Sequence, residues 1–236
     1  MEQFTYHGRE LELFKHAVNW KRYWTSMIRP FVSGRVLDVG AGLGATATYL
    51  NNCHVTAWHF LEPYERLLRQ NQQQRIGENR LASESFQAGT IADLPSDKIF
   101  DTILYIDVLE HIDNDRLELE RASRHLRRGG HLIVVSPAIP ALYSEFDKSV
   151  RHFRRYTRQS LGGITPARLD LIELRYIDSL GMLTSSANRF LLKKDVPNLG
   201  QILFWDRFLI PLSRVVDPAL SYKFGKTICG IWARTT

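Results

Sequence analysis

The hydrophobic pattern of this chain changes period along its length. Apolar residues at helical spacing over 10–30 predict an amphipathic N-terminal helix that ends at Pro30. Short apolar runs then alternate with helix-period segments. Strands are predicted at 35–39, 54–61, 84–87, 99–106 and 131–136, and helices at 44–52, from the end of Glu62-Pro63 to about 75, and at 114–127. This alternation predicts an α/β fold, with a mostly parallel sheet and helices on both faces.

The pattern changes after Ser136. Residues 137–157 have no clear period and predict either a functional lid or a disordered loop. Strong β-formers at 169–177 and 227–232 predict a terminal pair of strands, which brings the sheet to seven. Helical stretches near 182–194 and 199–216 lie between them.

Length and composition predict one domain. The chain has 236 residues, of which 44% are hydrophobic. We expect a helical cap at 1–33, a ligand-binding core at 34–136, and a lid, helical insertion and terminal strands at 137–236. We identify no signal peptide and no apolar run near the roughly 20 residues of a membrane span. Cys53 and Cys229 stand alone, so reduced thiols and a cytoplasmic location are expected.

The net charge changes this picture little. A charge of +6 and an isoelectric point near 9.4 suit an acidic small substrate, an anionic membrane surface or nucleic acid, and do not choose among them.

The segment RVLDVGAGLGAT, residues 35–46, is the most informative stretch of the chain. A buried strand runs into glycines 40, 42 and 44, and a helix follows. Glycine suits such a turn because it adopts unusual backbone angles and has no Cβ to block a ligand. Asp38 would repel the pyrophosphate of a dinucleotide, but it would attract the ammonium and sulfonium of S-adenosylmethionine. The turn therefore favours a methyl donor.

Acidic residues follow four predicted strands. Any one of Asp38, Glu62, Asp93 and Asp107 is more often a helix cap or loop acid. Four acids at the ligand-binding edge of a parallel sheet, together with the glycine turn, instead predict a binding site. Glu62 suits the ribose hydroxyls, Asp93 suits the adenine amino group, and Asp107 faces the ligand.

Three motifs resemble the class I S-adenosylmethionine-dependent methyltransferases: VLDVGAGLG, FDTILYIDVLEHI and RRGGHLIVV. The resemblance implies a Rossmann-like fold, S-adenosylmethionine as cofactor, S-adenosylhomocysteine as product, and no metal. It places the glycine turn at the methionine end of the cofactor. The cofactor-binding residues it implies are Asp38, Gly40, Ala41, Gly42, Gly44, Glu62, Pro63, Asp93, Leu94, Ile106, Asp107 and Val108.

A narrower resemblance covers NWKRY, IRP and the long stretch PALYSEFDKSVRHFRRYTRQSL. These segments resemble a bacterial and fungal subgroup of small-molecule methyltransferases. The chain departs from that subgroup twice. Arg151 precedes His152 where the subgroup has glycine, and Gly162-Gly163 interrupts the helix expected after Thr157.

The arginine-rich segment 151–158 predicts the acceptor site. Arginine binds carboxylates and phosphates in a planar fork, so this segment suits an acidic small molecule. Structural ion pairs and nucleic-acid binding are the alternatives, although no RNA-binding module is visible. The candidate catalytic residues are His111, His152 and Tyr156, where His111 either acts as a base or only shapes the pocket. The candidate substrate-binding residues are Arg22, Tyr23, Tyr143, Arg151, Arg154 and Arg155.

Two apolar segments have alternative roles. The stripe from Trp20 to Trp24 suits core packing or a cap over the ligands. Residues 202–210 suit a cap over an apolar substrate, a dimer contact or an interfacial membrane helix.

The sequence therefore predicts methyl transfer from S-adenosylmethionine to a small molecule, at oxygen, on a substrate with a carboxylate or other acidic group. N- or C-methylation of a natural-product or lipid-linked intermediate is the nearest alternative. A non-catalytic cofactor-binding scaffold and a nicotinamide-dependent dehydrogenase are the others. We expect no nucleic-acid partner, no stable membrane insertion, and a homodimer as the one oligomer to consider.

Overall fold

A seven-stranded sheet forms the centre of the molecule. The computed structural model describes residues 14–50, 54–76, 82–187 and 198–235. The strands are β1 Gly34–Val39, β2 Val55–Glu62, β3 Ser83–Ala88, β4 Phe100–Ile106, β5 Leu126–Pro137, β6 Asp170–Ile177 and β7 Thr227–Ala233. Their order is β3-β2-β1-β4-β5-β7-β6. Strands β1 to β5 pair in parallel, and β7 runs antiparallel to both β5 and β6. The predicted seven-stranded, mostly parallel sheet is confirmed.

Helices cover both faces of the sheet. They are α1 Val18–Ile28, α2 Ala45–Leu50, α3 Glu65–Gln74, α4 Asp115–Arg124, α5 Glu145–Ser149, α6 Arg158–Gly162, α7 Ser179–Ala187, α8 Leu199–Phe204 and α9 Ile210–Ala219. A π-helical turn, Trp205–Leu209, joins α8 to α9. Among the described residues, no helix is long and apolar enough to cross a membrane.

The alternation of side chains along each strand divides the core in two. Val36 of β1 and Leu104 of β4 pack in one cluster, with α1 and the C-terminal helices. Leu37 and Ile103 point to the opposite face and pack in a second cluster with α4. Because both faces are covered, the central strands are apolar at nearly every position.

Buried carboxylates attach the C-terminal helices to α1. Asp206 accepts hydrogen bonds from the backbone amides of Asn19 (3.1 Å) and Trp20 (2.8 Å). These amides belong to the first turn of α1, where no carbonyl within the helix can reach them. Asp217 accepts from the Tyr23 hydroxyl at 2.7 Å. The helical insertion therefore packs on the N-terminal cap and fixes its position over the sheet.

Some predicted boundaries were wrong. Strand β5 begins at Leu126 rather than at 131, because a register shift after the Phe100–Leu126 pair accommodates the turn at Gly129. Helix α1 begins at Val18, later than predicted. Helix α6 ends at Gly162, as the two glycines predicted.

Cys229 is buried. Cys53 and the end of the 182–194 prediction lie outside the described residues.

Candidate active site

One large cavity opens at the carboxyl ends of the central strands. Its volume is about 2200 Å³, and its lining includes the last residue of each of four strands, namely Val39, Glu62, Ile106 and Pro137. Helices α1 and α8 form the opposite wall. Pockets that hold one drug-sized ligand measure roughly 300–1,000 Å³. The cavity therefore has room for two ligands, at the edge where open α/β sheets bind them.

The glycine turn forms one end of the cavity. Gly40, Gly42 and Gly44 have φ angles of 63°, 51° and 74°, in the left-handed region that favours glycine. A Cβ built on Gly40 would lie 2.6 Å from a methyl carbon of Val108, so any other residue would collide there. The turn thus brings bare backbone to the cavity wall.

Glu62 holds this turn in place. One carboxylate oxygen accepts from the amide of Gly42 at 2.8 Å, and the other accepts from the amide of Tyr64 at 3.0 Å. Burial raises the pKa of Glu62, while these two hydrogen bonds favour its ionised form. Glu62 therefore presents a preorganised carboxylate to the cavity at the end of β2.

Asp38 lies beneath the turn and is almost fully buried. Its Oδ2 atom has no hydrogen-bond partner. Burial raises the pKa of Asp38 to about 7, and the charge of Glu62 adds to the increase, while Arg75 and a hydrogen bond with Thr46 oppose it. A cationic ligand beside the turn would stabilise the ionised form, so the donor set fits the cationic methionine end of S-adenosylmethionine.

Asp93 takes a different position from the one expected. Its Oδ2 accepts from the amide and the hydroxyl of Thr90, at 2.7 and 2.8 Å, and caps a short 3₁₀ turn. These bonds lower the pKa of Asp93. Gly89 and Thr90 line the cavity, whereas Asp93 is not part of its lining. The helix-cap alternative therefore describes this carboxylate, and its contact with adenine stays a prediction.

The predicted cofactor residues divide into two groups. The cavity is lined by Gly40, Ala41, Gly42, Glu62, Pro63, Ile106, Asp107 and Val108. Asp38, Gly44, Asp93 and Leu94 lie behind or beside this lining, and Leu94 packs in the core under the sheet.

Asp107 lies at the bottom of the cavity. Its φ angle is 53°, which is uncommon for a residue other than glycine, and its amide donates to the carbonyl of Val135 at 2.8 Å. Its side chain is accessible from the cavity. Burial of the carboxyl in the cavity raises the pKa of Asp107 to about 6. The charges of His152, Lys226 and Lys21 oppose this increase. Strained backbone of this kind is common at functional sites.

Two histidines and a glutamate meet at the cavity wall beside Asp107. The rings of His111 and His152 are perpendicular, with centroids 4.6 Å apart. Glu110 is fully buried, and its Oε1 lies 3.9 Å from Nε2 of His152. Burial and the neighbouring His152 lower the pKa of His111 to about 4, so this ring is neutral at neutral pH.

Asp147 fixes the orientation of His152. Its Oδ1 is 2.8 Å from Nδ1 of His152, and Arg155 binds both carboxylate oxygens, at 2.9 and 3.0 Å. Burial alone would raise the pKa of Asp147, but the bonds from His152 and Arg155 outweigh it and lower that pKa. An ionised carboxylate can only accept, so Nδ1 of His152 donates to Asp147, and Nε2 faces Glu110.

The arginine-rich segment is divided between the cavity and the protein interior. Three residues of the segment line the cavity, namely Arg151, His152 and Arg155, and His111 from the turn after β4 lines it beside them. Arg151 has a φ angle of 62°, in the left-handed region that favours glycine. Glycine is the residue that the resembled subgroup has at this position. Tyr143 supports the segment from behind, because its hydroxyl donates to the carbonyl of His152 at 2.6 Å.

Four further predicted site residues lie outside the cavity lining, and their roles stay predictions. The Tyr156 hydroxyl is buried and donates to Asp115 at 2.8 Å; burial and this bond raise its pKa far above the ordinary value. Arg154 binds the same carboxylate at 2.6 Å. The Tyr23 hydroxyl is committed to Asp217. Arg22 also lies outside the cavity lining. Buried acids elsewhere in the sequence attract Tyr156, Arg154 and Tyr23 away from the cavity, which the sequence alone does not reveal.

Several lining residues were missed. Lys21 and Lys226 add positive charge, and Lys226 lies over the ring of Trp205, 4.0 Å from its centroid. Burial lowers the pKa of Lys226, while Asp178 opposes this effect. Asp147, which lies behind the lining, was also missed, although Ser144 followed three residues later by an acid is a capping-box pattern.

The wall opposite the glycine turn is aromatic. Phe14 and Trp20 both contact Trp205, with ring centroids 6.3 and 5.6 Å away, and Phe14 contacts Phe146 at 6.5 Å. All four rings line the cavity. The space beyond the histidines therefore suits an apolar group.

Comparisons with known proteins agree with this geometry. Residues 17–170 match the family described as "Methyltransferase domain". A demethylmenaquinone methyltransferase of Clavibacter sepedonicus is 26% identical over 134 residues; the match covers 54% of this chain and about half, 52%, of that relative.

Solved structures share the fold over nearly the whole chain. A geranyl diphosphate methyltransferase in complex with S-adenosylmethionine has a TM-score of 0.66 at 14% identity, covering 97% of this chain and 91% of its own. An S-adenosylmethionine-dependent methyltransferase from Clostridium acetobutylicum has a TM-score of 0.62 at 11% identity, covering 98% and 99%. The family match shows that the chain belongs to the methyltransferase-domain family, and the solved structures show that it has the fold of S-adenosylmethionine-dependent methyltransferases.

Proposed function

We propose that this protein transfers the methyl group of S-adenosylmethionine to a hydroxyl oxygen of a small molecule that has an acidic group and an apolar body. The observation that carries the proposal is the pairing of Asp147 with His152, which fixes this ring at the wall of a cavity large enough for donor and acceptor.

The residues at the glycine turn fit the methyl donor. The bare backbone from Gly40 to Gly42 and the carboxylate of Glu62 would hold it, with the unpaired oxygen of Asp38 stabilising its positive end. When bound, S-adenosylmethionine supplies a methyl group on a sulfonium, ready for in-line displacement by an oxygen held close to it.

His152 supports transfer to oxygen rather than to an already ionised group. A hydroxyl must lose its proton as the methyl group is transferred, and an oriented histidine is suited to accept it. Asp147 stabilises the imidazolium that then forms, in the way a buried carboxylate orients the base of a catalytic dyad. His111 is neutral and packs against His152, so it shapes the position of the hydroxyl.

The charge and the shape of the cavity support the substrate class. Lys21, Arg151 and Lys226 contribute positive charge to the lining, which suits a carboxylate or phosphate. The aromatic wall around Trp205 suits an apolar body. The relatives named for demethylmenaquinone and geranyl diphosphate are named after molecules that combine a polar end with an apolar chain, and we extend that combination to this substrate.

The test is product analysis with methyl-labelled S-adenosylmethionine and a panel of phenolic and aliphatic hydroxy acids with apolar chains. We expect label on oxygen, and a loss of kcat of at least about 100-fold in His152→Gln, the scale of general base catalysis. His131→Gln is the matched control, because His131 lies on β5 at the opposite edge of the sheet from the cavity. Label on carbon or nitrogen would replace the proposal with C- or N-methylation, the alternative that an aromatic cavity also accommodates.

A further inference from the structure

The cluster of Glu110, His111 and His152 has the composition of a metal site. One ligand-type atom from each side chain lies within 4.8 Å of the other two. Two imidazole nitrogens and one carboxylate oxygen form a donor set typical of zinc and of iron(II).

The unpaired atom of Glu110 is the second observation. Glu110 is completely buried, and its Oε2 accepts from the Ser136 hydroxyl at 2.5 Å. Its Oε1 has no hydrogen-bond partner and faces Nε2 of His152 across 3.9 Å. A buried carboxylate oxygen without a partner is costly, and a cation between these two atoms would remove that cost.

Each of the three side chains is also held from behind. Nδ1 of His152 is bonded to Asp147, Oε2 of Glu110 to Ser136, and the ring of His111 to the backbone at Val150 and Arg151. Protein metal sites orient their ligands by such outer hydrogen bonds, with a carboxylate behind a histidine as a recurring form.

We propose that Glu110, His111 and His152 bind one divalent transition-metal cation at the wall of the cavity. Tetrahedral coordination at about 2.0–2.1 Å puts neighbouring ligand atoms about 3.3 Å apart, so Glu110 and His152 need to approach by only about half an ångström. Three protein ligands leave a coordination position open to the cavity.

The catalytic consequence rests on the proposed function. The acceptor hydroxyl would occupy the open position, where a cation lowers its pKa and its proton passes to solvent. The oxygen lone pair then forms the bond to the methyl carbon, and the carbon–sulfur bonding pair stays with S-adenosylhomocysteine. In the metal-bound protein His152 is a ligand, so the cation replaces the general-base role that the proposed function assigns to His152 in the metal-free protein.

Metal binding is tested without reference to activity. Chelator-treated full-length protein is titrated with Co²⁺ and Zn²⁺, and the visible absorption of Co²⁺ is recorded. We expect one equivalent with a tetrahedral or five-coordinate Co²⁺ spectrum, at least 100-fold weaker binding in His111→Gln and His152→Gln, and unchanged binding in His131→Gln. Asp147→Asn should weaken binding by about 10–100-fold through its effect on His152.

The outcomes separate this inference from the proposed function. An octahedral, water-like Co²⁺ spectrum in the wild type would overturn the inference, and this result does not depend on the folding of any variant. Equal Co²⁺ binding in all variants would also overturn it. Full methyl transfer by protein shown to be metal-free would also overturn it and leave the proposed function standing. One bound equivalent of Co²⁺ without methyl transfer to any acceptor would support the metal site and overturn the proposed function.

A different observation carries a second inference, on the surface of the C-terminal helices. Within 198–224, large apolar side chains are 39–73% exposed: Leu199, Phe204, Phe208, Leu212, Val215, Leu220 and Phe224. The rings of Phe204 and Phe208 are tilted against each other, with centroids 5.3 Å apart, and Leu212 continues the same helical stripe. Phe204 also lines the cavity, so the stripe reaches the cavity mouth.

The charges on this surface have one sign. Arg207, Arg214 and Lys223 are exposed, whereas the two acids of this fully described range, Asp206 and Asp217, are buried in hydrogen bonds. Aromatic and aliphatic side chains flanked only by cations are typical of surfaces that bind anionic lipid. We infer that this apolar and basic surface rests on an anionic bilayer surface without entering it, with the cavity mouth toward the lipid.

Vesicle sedimentation tests this inference, with phosphatidylserine–phosphatidylcholine vesicles against phosphatidylcholine alone. We expect binding to the anionic vesicles, weakened by 0.5 M salt as screening predicts, and at least 5-fold weaker in the double variant Phe208→Ser, Leu212→Ser. Ile76→Ser is the matched control, since Ile76 is 75% exposed on another surface. Equal binding by the double variant would overturn the inference. The inference would also be overturned if the wild type did not bind vesicles and sedimented as a dimer that the double variant turns into a monomer. That outcome would assign the stripe to a contact with a second copy of the chain.

Discussion

Replacement of Asp38 by Asn should remove a large part of the pH dependence of folding stability. In the folded chain the pKa of Asp38 is raised from 3.8 to about 7, because the carboxyl is buried and lies near Glu62. A folded pKa above the unfolded value means that the folded chain holds an extra proton between these two pH values. Stability is therefore greatest below pH 4 for this group and falls as pH rises toward 7. The difference of about 3 pKa units corresponds to about 4 kcal/mol.

The assay is urea unfolding followed by circular dichroism at pH 4.5, 5.5, 6.5 and 7.5. Glu62 and Glu110 also have raised pKa values, so the quantity of interest is the difference in slope between wild type and Asp38→Asn. We expect the wild type to lose about 3–4 kcal/mol more than the variant over this range. Asp97→Asn, an exposed carboxyl, should follow the wild type. Parallel curves for wild type and Asp38→Asn would refute the burial argument.

Four further expectations follow from the same contacts. Binding of S-adenosylmethionine near pH 6.5 should release up to one proton, seen by calorimetry in buffers of different ionisation enthalpy, and Asp38→Asn should abolish this release. Tyr156→Phe should destabilise the fold by about 1–3 kcal/mol in urea unfolding, because Asp115 loses a buried donor, while the KM for the acceptor stays unchanged. Gly40→Ala should weaken calorimetric binding of S-adenosylmethionine at least 10-fold, because its Cβ collides at the turn. Arg151→Gly should keep kcat and raise the KM for an acidic acceptor about 10-fold, because glycine accepts the 62° φ angle but carries no charge.

The sheet could be predicted because its pattern is local. A strand buried on both faces is a short apolar run, and the turn after β1 requires left-handed backbone angles that the glycines supply. The start of β5 could not be found in this way. Its first residue, Leu126, pairs with Phe100, and the shift that follows depends on a neighbouring strand rather than on the local sequence.

The acceptor side was less predictable because arginine and tyrosine can be recruited by any nearby acid. Arg154 and Tyr156 share Asp115, about 40 positions earlier in the chain, while Arg155 pairs with Asp147. Neighbouring residues of this segment thus face different ways: Arg154 and Tyr156 turn to Asp115, whereas Arg155 lines the cavity. The periodicity of the sequence contains no information on which acid each will meet.

The backbone explains why the histidine cluster forms at all. The amide of Phe153 donates to the carbonyl of Glu110 at 2.8 Å, which joins the arginine-rich segment 151–158 to the turn after β4. That bond sets His152 beside His111, although the two are 41 positions apart in the sequence. His152 is then oriented by Asp147, which lies shortly before it in the chain, whereas Glu110 is oriented by Ser136 of β5. Three separate segments therefore have to fold before the cluster exists, so a change in any one of them should act on the acceptor site and leave the glycine turn intact.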